Sequence, residues 1–327
     1  MTMLNIDADS VARLARRANL NRLSIPASIA VLVIVGTLLS PSFLTVPNLL
    51  NVLNAYSAVG LIALGMTFVA VSGGLADLSV PANVAMGALV ALGTQTAVGA
   101  GVAALLGVLV ATVGGLVNGL LVGYLRINPI IVTLGSGSLL LGLSQQLVGG
   151  GIVYAEPSRI GEFASGNLLG VPVFVWVFGV AAVVLHIVLS GTAFGRWNFA
   201  VGGNYEASAA SAVPVRLTTA IAFSLTGLLS GACGVLIALS NGSARPIIGN
   251  GYEFVAITAV VIGGTSLFGG RGSIPRTVGG VLITALIGNL IILIGLPTQS
   301  TGLVTGALVL SVVGIDAYLR SRAGGDE

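Results

Sequence analysis

Ten apolar segments follow one another along this sequence, most of them about as long as a bilayer is thick. They cover residues 25–43, 52–71, 82–98, 102–124, 130–148, 171–190, 217–240, 254–268, 278–296 and 302–319. A helix crosses the hydrocarbon core in about 20 residues. Lipid offers no partner to a backbone N–H or C=O, so segments of this length cross as helices. Only 7% of the residues are charged, where a soluble domain carries about 25%. The sequence therefore reads as an all-α polytopic membrane protein of about ten transmembrane helices. Its 48 glycines suit membrane helices whose backbones approach closely. The third and eighth segments are short and bordered by glycine, which predicts broken or tilted helices of the kind that line a cavity. Residues 1–24 read as an N-terminal tail, 25–320 as one transmembrane domain and 321–327 as a C-terminal tail. The apolar run after Pro26 is too long for a signal-peptide core.

Arginine placement orients these spans. All 13 basic residues are arginine. With the N-terminus inside, Arg13, Arg16, Arg17, Arg22, Arg126, Arg196, Arg216, Arg271, Arg276, Arg320 and Arg322 fall on the cytoplasmic side, and Arg159 and Arg245 outside. The positive-inside rule therefore places both termini in the cytoplasm. The absence of lysine excludes a GxxxxGK[ST] phosphate loop, and with it ATP hydrolysis by that chemistry in this chain. One cysteine, Cys233, makes no internal disulfide. One histidine, His186, and no HExxH give no hydrolytic or metal-binding constellation, so neither a cofactor nor a metal is expected. The basic balance, with a sequence pI near 9.4, suits membrane orientation better than nucleic-acid binding.

The longest polar interruption in the second half is residues 191–216, GTAFGRWNFAVGGNYEASAASAVPVR. Asn204 is a good helix N-cap, and Glu206 falls in the first turn, where the helix dipole favours a carboxylate. Pro214 removes a backbone donor and stops the helix near Ala212. A short capped helix between two spans is the expectation. Elsewhere, Asp77 and Glu253 lie at span ends. Asp77 is placed to cap the helix that follows, and His186 has an interfacial position. Asn51, Asn54, Thr67, Asn118, Thr133, Ser136, Ser138, Gln145, Gln146, Thr258 and Asn289 put amides and hydroxyls in the spans. Such groups either line a path for a neutral polyhydroxylated solute or bond helix to helix. SGGLADLSV (72–80) and IGGTSLFGG (262–270) look alike, a hint of an internal repeat.

These residues carry a resemblance. FGRWNFAVGGNYEASAASAVPV (194–215), ITAVVIGGTSLFGGRGSI (257–274), NGLLVGYLRINPIIVTLGS (118–136) and SGGLADLSV resemble, in order, blocks of the ribose-type sugar ABC importer permeases. The likeness runs from about Asn48 to Tyr318. It implies a multi-pass subunit of a bacterial inner membrane that pairs with a second permease subunit, identical or not. It further implies a cytoplasmic ABC ATPase, an extracytoplasmic solute-binding protein and a sugar or sugar-like polyol as solute. In such a permease the ATPase-coupling loop would comprise Arg196, Gly202, Gly203, Asn204, Glu206, Ala207, Ser211 and Arg271. The path would draw on Asn51, Asn54, Thr67, Asp77, Ser136, Gln145, Glu253 and Thr258. An importer for nucleosides or branched-chain amino acids and an ion-coupled secondary transporter are the alternatives. The sequence departs from the family pattern at Ala209, at Ala210, at Ala212 (usually glycine), at the extra residue Ala76, at Pro81 and at Val255 (usually acidic).

Overall fold

The computed structural model describes residues 8–297 and, beyond them, residues 300, 302–304, 306, 307, 310, 311 and 314. Its helices are α1 (Ala8–Leu39), α2 (Val46–Val71), α3 (Val80–Val98), α4 (Ala100–Leu125), α5 (Pro129–Leu147), α6 (Arg159–Ser165), α7 (Val173–Gly191), α8 (Ala193–Gly203), α9 (Tyr205–Ala210), α10 (Val215–Asn241), α11 (Tyr252–Ile262) and α12 (Ile274–Leu293). Prolines start several of them. Pro47, Pro81, Pro129 and Pro275 stand in the first turn of α2, α3, α5 and α12, where a missing N–H costs nothing and φ is already helical. Among the described residues there is no closed sheet, only two ribbons. The strand β1 (Val153–Tyr154) pairs with β4 (Ser243–Ala244), and β2 (Asn167–Leu168) pairs with β3 (Val171–Pro172).

Six helices, α2, α4, α5, α7, α10 and α12, are long and apolar enough to cross a membrane. The remaining expected spans fare differently. The first corresponds to Leu23–Leu39, the apolar part of α1, and α1 runs without interruption through the expected boundary at residue 24. The third is not broken: α3 continues from Val80 to Val98, and Gly99, at φ 80°, turns the chain into α4. The eighth, expected over 254–268, stops as a helix at Ile262. At about 1.5 Å per residue its 11 residues span about 16 Å, half a bilayer core. It stops because Gly264 takes a left-handed φ of 80°; the Gly264 amide bonds back to the Val261 carbonyl at 2.8 Å and the Thr265 amide to the Val260 carbonyl at 3.1 Å, a Schellman ending. The tenth segment and the C-terminal tail fall for the most part outside the described residues.

The axle of the molecule is α2. It is buried continuously from Ser57 to Val71, wrapped by α7, α10, α11 and α12. Beside it, α4 and α10 run antiparallel in the most extensive helix pairing among the described residues. Gly107, Ala111, Gly115, Gly119 and Gly123 recur every fourth residue along α4, which puts them on one face. Opposite them on α10 stand Val235, Gly231, Gly227, Ala220 and the Arg216 carbonyl. A Cβ on Gly115 would lie 2.4 Å from the Phe223 carbonyl, and one on Gly227 2.4 Å from the Ala111 carbonyl. Lipid tails are as apolar as leucine, so helices in a membrane associate through such backbone-to-backbone packing and through hydrogen bonds. The second of these contributions comes from Thr67 and Thr277, whose hydroxyls meet at 2.8 Å between α2 and α12. Asn48 and Asn289 exchange two amide hydrogen bonds of 3.0 and 2.9 Å across the same pair of helices.

Candidate functional site

One end of the bundle gathers the segment after α2, the α4–α5 turn, α8, α9 and the loop 263–273. Its centre is the Val71 carbonyl, at the last residue of α2. That oxygen accepts the Gly270 amide at 2.9 Å. It also lies where a Cβ on Gly202 would be, at 1.8 Å. Gly269 (φ 94°) and Gly270 (φ 74°) wrap over Gly202 and Gly203 in turn. Three stretches of backbone thus meet with no side chain between them, which only glycine permits. The Phe68 and Phe194 rings stack beside this contact, 5.8 Å apart and 13° from parallel.

The local sequence explains α8 and α9. Thr192 caps α8, its hydroxyl accepting the Gly195 amide at 3.2 Å. Asn204 ends α8 and caps α9, its side chain accepting the Ala207 amide at 2.9 Å, with Glu206 in the first turn. The helix stops two residues earlier than the proline suggests, at Ala210. The Val213 amide bonds back to the Ser208 carbonyl at 3.1 Å and the Ala212 amide to the Ala209 carbonyl at 3.4 Å, the pair of bonds of a Schellman ending. This ending needs a left-handed residue, and Ala212 supplies it at φ 59°. A Cβ is unfavourable there by about 1–2 kcal/mol. Ala212→Gly should therefore stabilise the end of α9 by about 0.5–1 kcal/mol after the entropy of glycine is charged. Amide hydrogen exchange at Ser211 and Val213 should slow by about threefold; faster exchange would contradict the geometry.

The exposed surface around α9 carries Glu206, Ala207, Ala209, Ala210 and Ser211, flanked by Arg196, Gly203, Asn204 and Arg271, all exposed. The expected coupling residues therefore share one end of the bundle, with Gly202 beneath them. Three participants were not singled out from sequence: the Val71 carbonyl, Tyr205 and the Gly269–Gly270 pair. The Arg126 guanidinium lies 4.9 Å over the Tyr205 ring, and that of Arg216 lies 5.7 Å over the Tyr124 ring, contacts of about 0.5–1 kcal/mol each at exposed positions.

Under the same end lies a buried polar cluster. The Ser79 amide and hydroxyl both donate to Asp77 Oδ1, the amide at 2.9 Å. The Ser79 hydroxyl oxygen in turn accepts from the side-chain amides of Asn83 at 3.0 Å and Asn118 at 2.8 Å. None of these four side chains is exposed. Asp77 thus binds the start of α3 and, through Ser79, joins α3 to α4. The extra residue Ala76 is buried here, next to Leu75 at φ 57°.

The expected path residues lie in several places among the described residues. Asn51 and Asn54 border a cleft of about 270 Å³ at the opposite end, against residues 164–172. Gln145 borders another of about 420 Å³ with Gly150, Ile152, Arg245, Pro246 and Ile247. Thr67 is fully buried and bonds to Thr277. Ser136 is half-buried on α5, donating to the Thr133 carbonyl at 3.3 Å. Glu253 and Thr258 are buried on α11, where the Thr258 hydroxyl donates to the Phe254 carbonyl. Val255 is half-buried on the same helix. One exposed stripe of α5, Gly135, Ser138, Gly142 and Gln145, is small or polar, and it runs beside exposed Ile131, Leu134, Leu139, Leu143 and Leu147.

Comparison with known proteins adds to this geometry. The family described as branched-chain amino acid transport system / permease component matches residues 48–313. The ribose import permease protein RbsC of Bacillus subtilis (strain 168) is 39% identical over 289 residues, 88% of this chain and 89% of that protein. RbsC of Escherichia coli (strain K12) is 35% identical over 294 residues, covering 88% and 91%. The L-arabinose transport system permease protein AraH of the same organism is 34% identical over 292 residues, 88% of each. No solved structure matches the chain significantly.

Proposed function

The chain belongs to the branched-chain amino acid transport system / permease component family, a multi-pass permease component of the inner membrane, and we propose that it forms the membrane path of an ATP-driven importer for a sugar or sugar-like polyol. The observation that carries this reading is the wiring of α9. A short, capped, exposed helix follows directly on α8, and the last turn of α8 meets the end of α2 and the loop between α11 and α12 through bare backbone. A partner pressing on α9 would move the axle of the fold and its half-span together. The chain lacks lysine and so borrows the energy of ATP from a cytoplasmic ABC ATPase seated on that surface. The arginines support the orientation: Arg126, Arg196, Arg216, Arg271 and Arg276 lie at the end that holds α9, and Arg159 and Arg245 at the other. The clefts at the other end, by Asn51 and Gln145, then open toward an extracytoplasmic solute-binding protein.

In this mechanism a second permease subunit completes the path. The narrow stripe of α5 that holds Ser138 and Gln145, with Ser136 at its edge, gives hydroxyl-rich solutes exchangeable hydrogen bonds. ATP binding by the partner favours one arrangement of α9 and hydrolysis the other. Only such a difference in contact between the two states shifts the equilibrium between inward and outward openings. Sugar is favoured over a branched-chain amino acid because the relatives named for a solute, at 34–39% identity, are ribose and arabinose permeases.

The test is recovery of the tagged chain from native membranes in mild detergent, followed by mass spectrometry. An ATPase in stoichiometric amount is expected. Glu206→Arg places a cation in the first turn of α9, where the helix dipole favours the native carboxylate by about 0.3–1 kcal/mol, and sets it in the exposed surface. It should lose most of the bound ATPase while the chain still accumulates in the membrane. Recovery of the chain with no nucleotide-binding partner would defeat the importer reading and bring the ion-coupled transporter forward.

A further inference from the structure

We propose that the Arg126–Tyr205 contact latches α9 to the α4–α5 turn and carries its movement into α5, beside a crossed Arg216–Tyr124 contact that holds α10 to α4. The inference rests on the importer reading above. Each side of the crossed pair supplies one cation and one ring. Tyr124, in the last turn of α4, receives Arg216 from the first turn of α10 at 5.7 Å. Tyr205, the first residue of α9, receives Arg126 from the end of α4 at 4.9 Å. Arg126 is itself left-handed, at φ 56°, so the residue that reaches Tyr205 is also the one that breaks α4 and starts the turn to α5. Two residues on, Asn128 accepts the Ile130 amide at 2.9 Å and caps α5, with Pro129 at its start. The path from α9 to α5 is therefore a ring, a guanidinium, a three-residue turn and a cap.

The two contacts stand differently toward motion. Beneath Arg216 and Tyr124 the backbones of α4 and α10 touch, since a Cβ on Gly123 would lie 2.7 Å from the Arg216 carbonyl. That side is a fixed pivot. Tyr205 and Arg126 sit beyond it, on the short helix and the turn, and their face-on contact is remade by a small shift of either. The helix they would drive is the loosely held one. Only Val132, Thr133 and Ser144 are buried on α5, against sixteen residues on α2. It rests on the start of α3 through Gly137, where a Cβ would lie 3.2 Å from the Ser79 Cα. Its far end brings Gln145 to the cleft with Arg245. Movement of α9 at one end of the bundle would thus reach a polar side chain at the other. Arg126 and Tyr205 are positioning residues in this scheme and touch no solute.

The experiment uses the chain co-purified with its ATPase. Cys233 is replaced by alanine, and Leu139, exposed on α5, becomes Leu139→Cys bearing an environment-sensitive fluorophore. The probe is Mg-ATP with vanadate. The unsubstituted latch should give an ATP-dependent change in fluorescence. Tyr205→Leu and Arg126→Gln should each reduce it about fivefold or more, and the double variant no further. Tyr205→Phe, which keeps the ring, and Arg126→Lys, which keeps the cation, should restore most of it. A merely structural role would not follow that pattern of rescue. A full response in Tyr205→Leu and Arg126→Gln, with ATPase still bound and active, overturns the latch alone. Loss in the conservative variants as well overturns it too. Failure of the unsubstituted chain to bring down an ATPase overturns the latch together with the importer reading.

Discussion

Gly202→Ala should part the last turn of α8, which leads into the exposed α9 helix, from the end of α2. The added Cβ would lie 1.8 Å from the Val71 carbonyl and 2.6 Å from the Gly270 nitrogen, and neither neighbour is the far end of a flexible side chain. Relief requires the backbones to part by more than 1 Å, roughly the gap between those distances and ordinary contact. The Gly270 amide then loses the Val71 oxygen, and a buried donor and acceptor go unpaired at about 1–3 kcal/mol each. With the steric cost added, the local penalty reaches roughly 3–5 kcal/mol. The α4–α10 zipper lies away from this contact, so the chain should still insert and accumulate. The expected result is a membrane protein present in near-normal amount, with a lowered melting temperature, that neither retains an ATPase nor transports. Gly93→Ala, on α3 and outside that surface, is the control, because a Cβ there meets nothing within 4 Å. Equal loss in both variants would refute the close contact as the cause.

How far the sequence foretold this end of the molecule depended on whether the signal was local. Asn204, Glu206 and Pro214 act on their own backbone, so the capped helix was legible, and the ending at Ala210 differed only because a Schellman turn at Ala212 precedes the proline. The meeting of Gly202 with Val71 and Gly270 joins residues far apart in the chain. A glycine pair signals that a side chain is unwelcome and says nothing of what occupies the space. Thr67 and Asn289 show the same limit from the polar side. From sequence either role, path or helix pairing, was open, and both side chains bond across to α12 or α2. Asp77 could be read as a cap because its partner Ser79 is two residues away, whereas the bond that ties Asn118 to the same hydroxyl needed the fold. The half-span α11 was hinted at by the glycines that border it. Its true length was hidden because Leu267 and Phe268 carry the apolar run on past Gly263, Gly264, Thr265 and Ser266.

Gly227→Leu should remove the fold altogether. Along α4, Gly107, Ala111, Gly115, Gly119 and Gly123 face α10 at every fourth residue, and Gly227 sits at the middle of that seam. Its Cβ would lie 2.4 Å from the Ala111 carbonyl and 3.0 Å from the Gly115 Cα. A leucine there adds three further carbons to a space with room for none, and the two long helices must separate along their length. In water a separated pair would keep some hydrophobic attraction. In lipid it keeps none, since the tails solvate leucine as well as the partner helix does, and only the packing itself held the pair. Gly231, one turn along, would be lost with it, and α3 meets α10 there through Gly87. The expected outcome is a chain that is degraded or aggregates, read as loss of the monodisperse peak of a fluorescent fusion in detergent. Gly179→Leu on α7, where a Cβ meets nothing within 4 Å, should leave that peak unchanged. A folded Gly227→Leu chain with native mobility would show that α4 and α10 do not pack as closely as described. It would also remove the fixed pivot on which movement of α9 relative to the spans depends.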